Sequence, residues 1–235
     1  MSDFSVVCVD MFQTLVDVNS RRYLFWQKIL SDAYSERLAE EYSIIWLDIF
    51  TKYYGDVMSQ SSIFKNFRAI AEFCFDRAFT QIGLAYDPEQ AAQIWINEHR
   101  LAPPYEDTDH FLESVRAKLP LCLVSDADDE MILPHLQNYE FDEVFVSERH
   151  KSYKNGPEGK LFRAVINHYA TEPASIIHIG DGYSDIKGAN QAGIKTCWLN
   201  RNGIEWSYDL RPNYEVGSLY EAVSVLDLHS GSPVR

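Results

Sequence analysis

The sequence predicts an α/β protein: a Rossmann-like, doubly wound parallel sheet that carries an α-helical cap domain. Three observations predict it. Five short apolar runs rich in β-branched residues recur as buried parallel strands do, at Phe4 to Val9, Leu121 to Val124, Glu143 to Val146, Ile176 to Ile179 and Lys195 to Leu199. Segments of helical length and pattern separate the last four runs, the alternation that builds an open α/β sheet. Between the first and second runs the rhythm breaks into a long aromatic-rich stretch, almost free of Gly and Pro and helical in its spacing.

In chain order, the first run (FSVVCV) ends at Asp10 and delivers a carboxylate at a strand terminus. The stretch from about 19 to 100 follows, with apolar residues at helical spacing from Tyr23 through Trp26 to Leu30. Gly55 with the Ser59 to Ser62 patch, and Gly83 with Asp87-Pro88, break it into antiparallel helices; Pro103-Pro104 closes it. The second run ends at Ser125 and leads to a helix over 129–138, and the third leads through a polar loop to a helix over 158–169. The fourth ends at Gly180-Asp181 before a helix over 184–192, and the fifth completes the sheet. The tail from Ser230 to Arg235 reads as frayed. This divides the chain into a core of residues 1–16 and 101–235 and a helical cap of residues 17–100. A chain that leaves a sheet after its first strand and returns places the insertion over the strand ends, so the active site is a cleft between the two.

Composition narrows the function. A chain of 235 residues, 46% hydrophobic and 24% charged, buries a core without staples. The formal net charge of −14 and the lack of a basic cluster longer than Arg21-Arg22 argue against nucleic acid and anionic membrane surfaces. No leader-like or membrane-spanning apolar stretch is present. Cys8, Cys74, Cys122 and Cys197 are widely spaced with no CxxC, the pattern of buried reduced thiols, and imply a cytoplasmic setting. Monomer and homodimer both fit.

Four elements carry candidate chemistry. Asp10 at a strand end can attack an electrophilic phosphorus or carbon, or simply cap its loop. Ser125, followed by Asp126, can donate to a substrate oxygen or precede a helix start. Lys154, in SYKNGP, can hold a phosphate and orient a carboxylate, or stay solvated. The most specific is Gly180-Asp181-Gly182-Tyr183-Ser184-Asp185, where two carboxylates one turn apart can converge on a hard cation such as Mg²⁺.

In order and spacing these elements resemble the haloacid dehalogenase-like superfamily, over nearly the whole chain, with the helical stretch as its inserted cap and Trp198 to Arg201 (WLNR) followed by Pro212 to Leu219 as its closing segment. The resemblance implies that Asp10 is the nucleophile, that Thr14 orients it, and that Ser125 and Lys154 bind the transferred group. It also implies that Asp10, the Phe12 carbonyl, Asp181 and Asp185 hold Mg²⁺. The implied function is hydrolysis of a small phosphorylated metabolite through an aspartyl-phosphate.

The sequence departs from the pattern at four places, one of them Asn155-Gly156, which replaces the common Pro-Asp after the Lys. Phe12 stands where the family's phosphatases carry a second Asp as acid and base; an aromatic there looks like the metal-independent 2-haloacid dehalogenases, the alternative reading. Gln13 stands where Gly is usual, and with Phe12 it also fits a weakly active or non-catalytic binding relative. Asp126 stands where those dehalogenases carry a halide-binding Asn. Phe12, Gln13 and Asp126 are therefore counted with Ser125 and Lys154 as substrate-facing. His178 reads as a core or supporting residue, His150 as a loop residue near the site, and Arg21, Arg22 and Arg68 as cations that could reach an anionic substrate tail.

Overall fold

The structure is a computed structural model that describes residues 4–59 and 64–226. The elements run β1 (Val6–Val9), α1 (Leu24–Leu30), α2 (Glu36–Ser59), α3 (Phe67–Ile82), α4 (Pro88–Arg100), α5 (Thr108–Arg116), β2 (Leu121–Ser125), α6 (Asp129–Leu136) and β3 (Glu143–Val146). They continue with α7 (Ser147–His150), α8 (Lys160–Tyr169), β4 (Ile176–Gly180), α9 (Tyr183–Gln191), β5 (Lys195–Leu199), β6 (Tyr214–Val216) and α10 (Leu219–Val225). The six strands form one parallel sheet in the order β3-β2-β1-β4-β5-β6.

The two-residue period of β1 divides the core. Val7 and Val9 face one layer with Leu121, Leu123, Ile177 and Ile179, covered by α5 and α10. Val6 and Cys8 face the other with Cys122 and Val124, covered by Leu161, Phe162 and Val165 of α8. Both faces are covered, which is why these strands read as continuous apolar runs. In register, Cys8 pairs with Cys122 on one side and His178 on the other, so the C-terminal ends of β2, β1 and β4 converge at the middle of the sheet. All four cysteines are buried and free.

Helices α1 to α4, between β1 and α5, form a separate aromatic cluster around Trp26, Phe75 and Phe79, joined from the core by Met131 and Tyr153. The left-handed Gly83 (φ +70°) stops α3, and Asp87 caps α4 by accepting from the Glu89 amide ahead of Pro88. Gly55 does not break the chain as the sequence predicts. It lies inside α2, where a glycine costs roughly 1 kcal/mol and the packing of a long aromatic helix outweighs that. Of the patch expected to break the cap, 60–62 lie outside the described residues, as does the tail from Ser230. β6 and α5 are elements the sequence reading does not foresee.

The cap is seated by hydrogen bonds at the start of α3. Asp128 accepts from the amides of Phe67 and Arg68, each at 2.8 Å. Arg68 pairs with Glu130, Tyr153 donates to the Lys65 carbonyl, and Tyr54 donates to Asp126 at 2.9 Å. No helix of the described residues is long and apolar enough to cross a membrane.

Candidate active site

Asp10 sits where β1 ends, its amide bonded to the Ile179 carbonyl at 3.0 Å and its side chain 7% exposed. Burial pushes its carboxyl above the usual range; Lys154 opposes that, with Nζ 2.9 Å from Oδ1. The same Nζ lies 2.5 Å from Asp185 Oδ1. Burial by itself would lower the lysine, but Asp10, Asp185 and Asp126 raise it above its ordinary value, so it stays charged.

Lys154 is held by backbone. Its amide donates to Asp126 Oδ1 at 2.8 Å, and its carbonyl lies against Gly188 of α9, where an added Cβ would come within 2.0 Å. Asp185 is saturated. Oδ1 accepts from Lys154 and from His178 Nε2 (2.8 Å), and Oδ2 accepts from the Gly182 amide (3.0 Å). Burial raises its carboxyl, but Lys154 and His178 outweigh that and hold it well below the usual carboxylate range. Gly180 has to be glycine because an added Cβ would sit 2.2 Å from Asp185 Cγ.

Asp181 has a different environment. Its carbonyl accepts from Trp198 Nε1 at 2.9 Å, but its carboxyl is pushed up to about 8 by burial and by the neighbouring Asp185 and Asp10, with Lys154 opposing. Oxygens of Asp10, Asp181 and Asp185 lie within 4.8 Å of one another. The return bonds of the loop after β1, from Leu15 and Val16, go to the Met11 carbonyl and leave the Phe12 carbonyl uninvolved. An all-oxygen set with one carboxylate lacking its own cation fits a hard divalent ion. Asp10, Asp181 and the Phe12 carbonyl offer the freer oxygens, while those of Asp185 are already hydrogen-bonded.

Two buried hydroxyls, Thr14 Oγ1 and Ser125 Oγ, have no hydrogen-bond partner. Thr14 was expected to orient Asp10; its hydroxyl is instead an unused donor. Arg201 pins the loop it sits on, donating to the Thr14 carbonyl and pairing with both oxygens of Asp107 at 2.9 Å. Asp107 and its role are invisible in the sequence, since the pair is brought together only by the fold.

The remaining predicted residues fall as follows. Phe12 packs its ring edge-on against His99 (5.2 Å) and His135 (6.0 Å) and lines a cavity under the cap. Gln13 adopts a left-handed φ of 61°, and its Oε1 accepts from the Asn19 amide, closing the entry to the cap. Asp126 is committed to Tyr54 and the Lys154 amide rather than exposed to a substrate, and burial pushes its carboxyl up to about 6. His178 supports Asp185 from within β4, and His150 lies against Phe145 (5.6 Å). Arg21 is paired with the buried Glu98, and Arg68 with Glu130, so neither is free for a substrate tail.

A family model described as haloacid dehalogenase-like hydrolase matches residues 4–193. The (S)-2-haloacid dehalogenase of Pseudomonas sp. (strain YL) is 24% identical, covering 96% of this chain and 95% of that protein. The phosphoserine phosphatase of Thermus thermophilus is 28% identical over 64% of this chain and 62% of that protein. In fold, the magnesium-bound HAD-hydrolase YfnB from Bacillus subtilis superposes with a TM-score of 0.81 at 18% identity, over 95% of this chain and 99% of that one. With its parallel sheet, inserted helices and a carboxylate cluster at the sheet's switch point, the chain belongs to the haloacid dehalogenase-like hydrolases.

Proposed function

We propose that the protein is a Mg²⁺-dependent phosphatase acting on a small phosphorylated metabolite, with Asp10 as covalent nucleophile. The observation that carries this reading is Asp181, a carboxylate placed beside two others with a single lysine between them. A metal-independent hydrolase has no use for that third acid. Mg²⁺ bound by Asp10, Asp181 and the Phe12 carbonyl would offset the repulsion between these carboxylates and a phosphate dianion.

The protein's own groups account for the rest. Asp10 attacks phosphorus and forms an acyl phosphate. Lys154 favours its ionised form and faces the transferring oxygens as a fixed positive charge. Ser125, whose hydroxyl stands beside the Asp10 carboxyl and lowers it, donates to those oxygens. Asp185 and His178 hold Lys154 in place rather than touching substrate. Phe12 supplies no proton, so the leaving group departs without a general acid from that position.

A second reading is carbon–halogen cleavage without metal. Phe12 and the near full-length likeness to a 2-haloacid dehalogenase favour it.

The test is release of p-nitrophenol from p-nitrophenyl phosphate with Mg²⁺ and with EDTA. Mg²⁺-dependent turnover that falls at least about 10³-fold in Asp10→Asn is the expected result. No Mg²⁺ dependence, or equal rates in Asp10→Asn, refutes it. Chloride release from 2-chloropropionate in EDTA would favour the second reading instead.

A further inference from the structure

Of the three clustered carboxylates, Asp10 and Asp185 are closed off, with side chains 7% and 2% exposed. Asp181 is partly exposed and lines a cavity of about 260 Å³ between the loop after β1 and the loop after β5. The rest of the lining is polar, with amides from Gln13, Asn19 and Asn202 and a second carboxylate from Asp17. Asp17 is half-buried. Its Oδ1 accepts from the Ser20 amide at 3.0 Å, and among the described residues no basic side chain pairs with it.

The cavity also holds a cation, Arg201, but that charge is already spent. Both oxygens of Asp107 engage the guanidinium, which lies over the Tyr105 ring at 3.9 Å. Tyr105 registers the sign that remains. Its hydroxyl is pushed up to about 12 by burial and then by Asp17 and Asp181, with Arg201 opposing, so both acids act on one wall of the cavity. The space is therefore acidic, polar and open to solvent, and it ends at the one acid of the set that lacks its own cation.

Size points to the form in which an ion enters. Mg²⁺ is octahedral and sheds its waters reluctantly. Six waters at about 30 Å³ each occupy roughly 180 Å³. A cavity of about 260 Å³ admits them together. The hydrogens of metal-bound waters point outward, so such an ion is held by acceptors, of which a carboxylate is the strongest.

We infer that this cavity is a docking site for the fully hydrated divalent cation, held through its waters by Asp17 before Asp181 takes the place of one of them. The inference rests on the Mg²⁺ part of the proposed function. The exchange releases a single water to solvent. Asp17 raises the concentration of cation at the mouth and so sets the rate of loading more than the final affinity.

The test uses the full chain freed of metal and cobalt(III) hexaammine, an octahedral cation of similar size whose ligands donate hydrogen bonds and do not exchange. It can occupy the docking site but cannot bond directly to a carboxylate. Calorimetry at low salt is expected to show binding that Mg²⁺ displaces. Asp17→Asn, which keeps an acceptor for the Ser20 amide, should weaken it at least about fivefold, and Asn202→Lys on the exposed rim should do the same. Asp48→Asn removes the same charge from the outer face of α2, where it is 59% exposed, and should change binding less than about twofold. Stopped-flow association of Mg²⁺, read by Trp198, whose indole donates to the Asp181 carbonyl, should slow at least about threefold in Asp17→Asn and Asn202→Lys. The second variant serves if the first disturbs its loop. No hexaammine binding, or binding weakened no more by these two variants than by Asp48→Asn, overturns the docking site. Mg²⁺ association at wild-type rates in both variants overturns it as well and leaves the phosphatase reading intact. Hexaammine bound with the stated dependence on Asp17, without any binding of Mg²⁺, leaves the docking site standing and refutes the phosphatase reading.

Discussion

Replacing Asp181 by asparagine separates the electrostatics of the site from its chemistry. In the metal-free protein this carboxyl titrates at about 8 rather than 3.8, raised by burial and by Asp185 and Asp10. A raised acid binds its proton more tightly in the folded state, so its contribution is present below the unfolded value and is lost as pH climbs towards 8. Fully expressed, that shift corresponds to an upper limit of roughly 6 kcal/mol. Partial exposure to solvent reduces it to about 1–3 kcal/mol. In a domain of this size that moves Tm by about 3–9 °C. Asp181→Asn is therefore expected to melt higher than the wild type in EDTA at pH 8.5, with little difference at pH 5. The wild type should gain a comparable amount from Mg²⁺ at pH 8.5, roughly 2.7 kcal/mol at a hundredfold excess over Kd, and the variant should lose most of that gain. Scanning calorimetry at the two pH values, with and without Mg²⁺, measures all four quantities. A variant no more stable than the wild type at pH 8.5 in EDTA, or a wild type indifferent to millimolar Mg²⁺, would refute the account of Asp181 as a carboxylate in need of a cation.

Further changes probe the supports of the site. In Gly188→Ala the new Cβ meets the Lys154 carbonyl at 2.0 Å and Phe162 at 2.9 Å, and backbone cannot yield as a flexible side chain does. It should cost about 3 kcal/mol in urea denaturation and lower kcat at least about tenfold by displacing Lys154. Asp128→Ala removes the acceptor for two amides at the start of α3 and should cost about 1–2 kcal/mol by the same method, since Asn66 still caps Ala69 from the other side. His178→Gln removes a partner of Asp185 without touching substrate. It should reduce kcat by about tenfold while leaving KM within about twofold, the split that marks a positioning residue.

Much of the scaffold was legible because its signals are local. Apolar runs mark β1 to β5, Asp87-Pro88 and Gly83 mark helix ends, and Asp10, Ser125, Lys154 and Asp181 fall where a strand terminates or a loop precedes a helix, with Asp185 in the first turn of α9. The errors came where a long-range partner overrode a local rule. Gly55 stays helical because α2 is held along its length by the aromatic cluster, and β6 forms because β5 offers it an edge. Asp126, the second residue of a Ser-Asp pair that looked substrate-facing, is turned to Tyr54 from the cap, a residue 72 positions away.

Asp10, Ser125 and Asp181 could be singled out from sequence alone because an apolar strand ending in a polar residue needs no tertiary information to be recognised, and Lys154 and Asp185 because one lies in a polar loop before a helix and the other one turn beyond Asp181. What each of them does had to wait for the fold. Asp181 and Asp185 are four residues apart and chemically identical. Only the approach of Lys154 from one loop and His178 from inside β4 makes Asp185 a saturated, deeply ionised anchor and leaves Asp181 as the acid that a cation would complete. Strand ends are set by short-range patterning, but the ionisation of a carboxylate is set by everything within a few ångströms of it, and those neighbours come from the end of β1, from β4 and from the loop before α8.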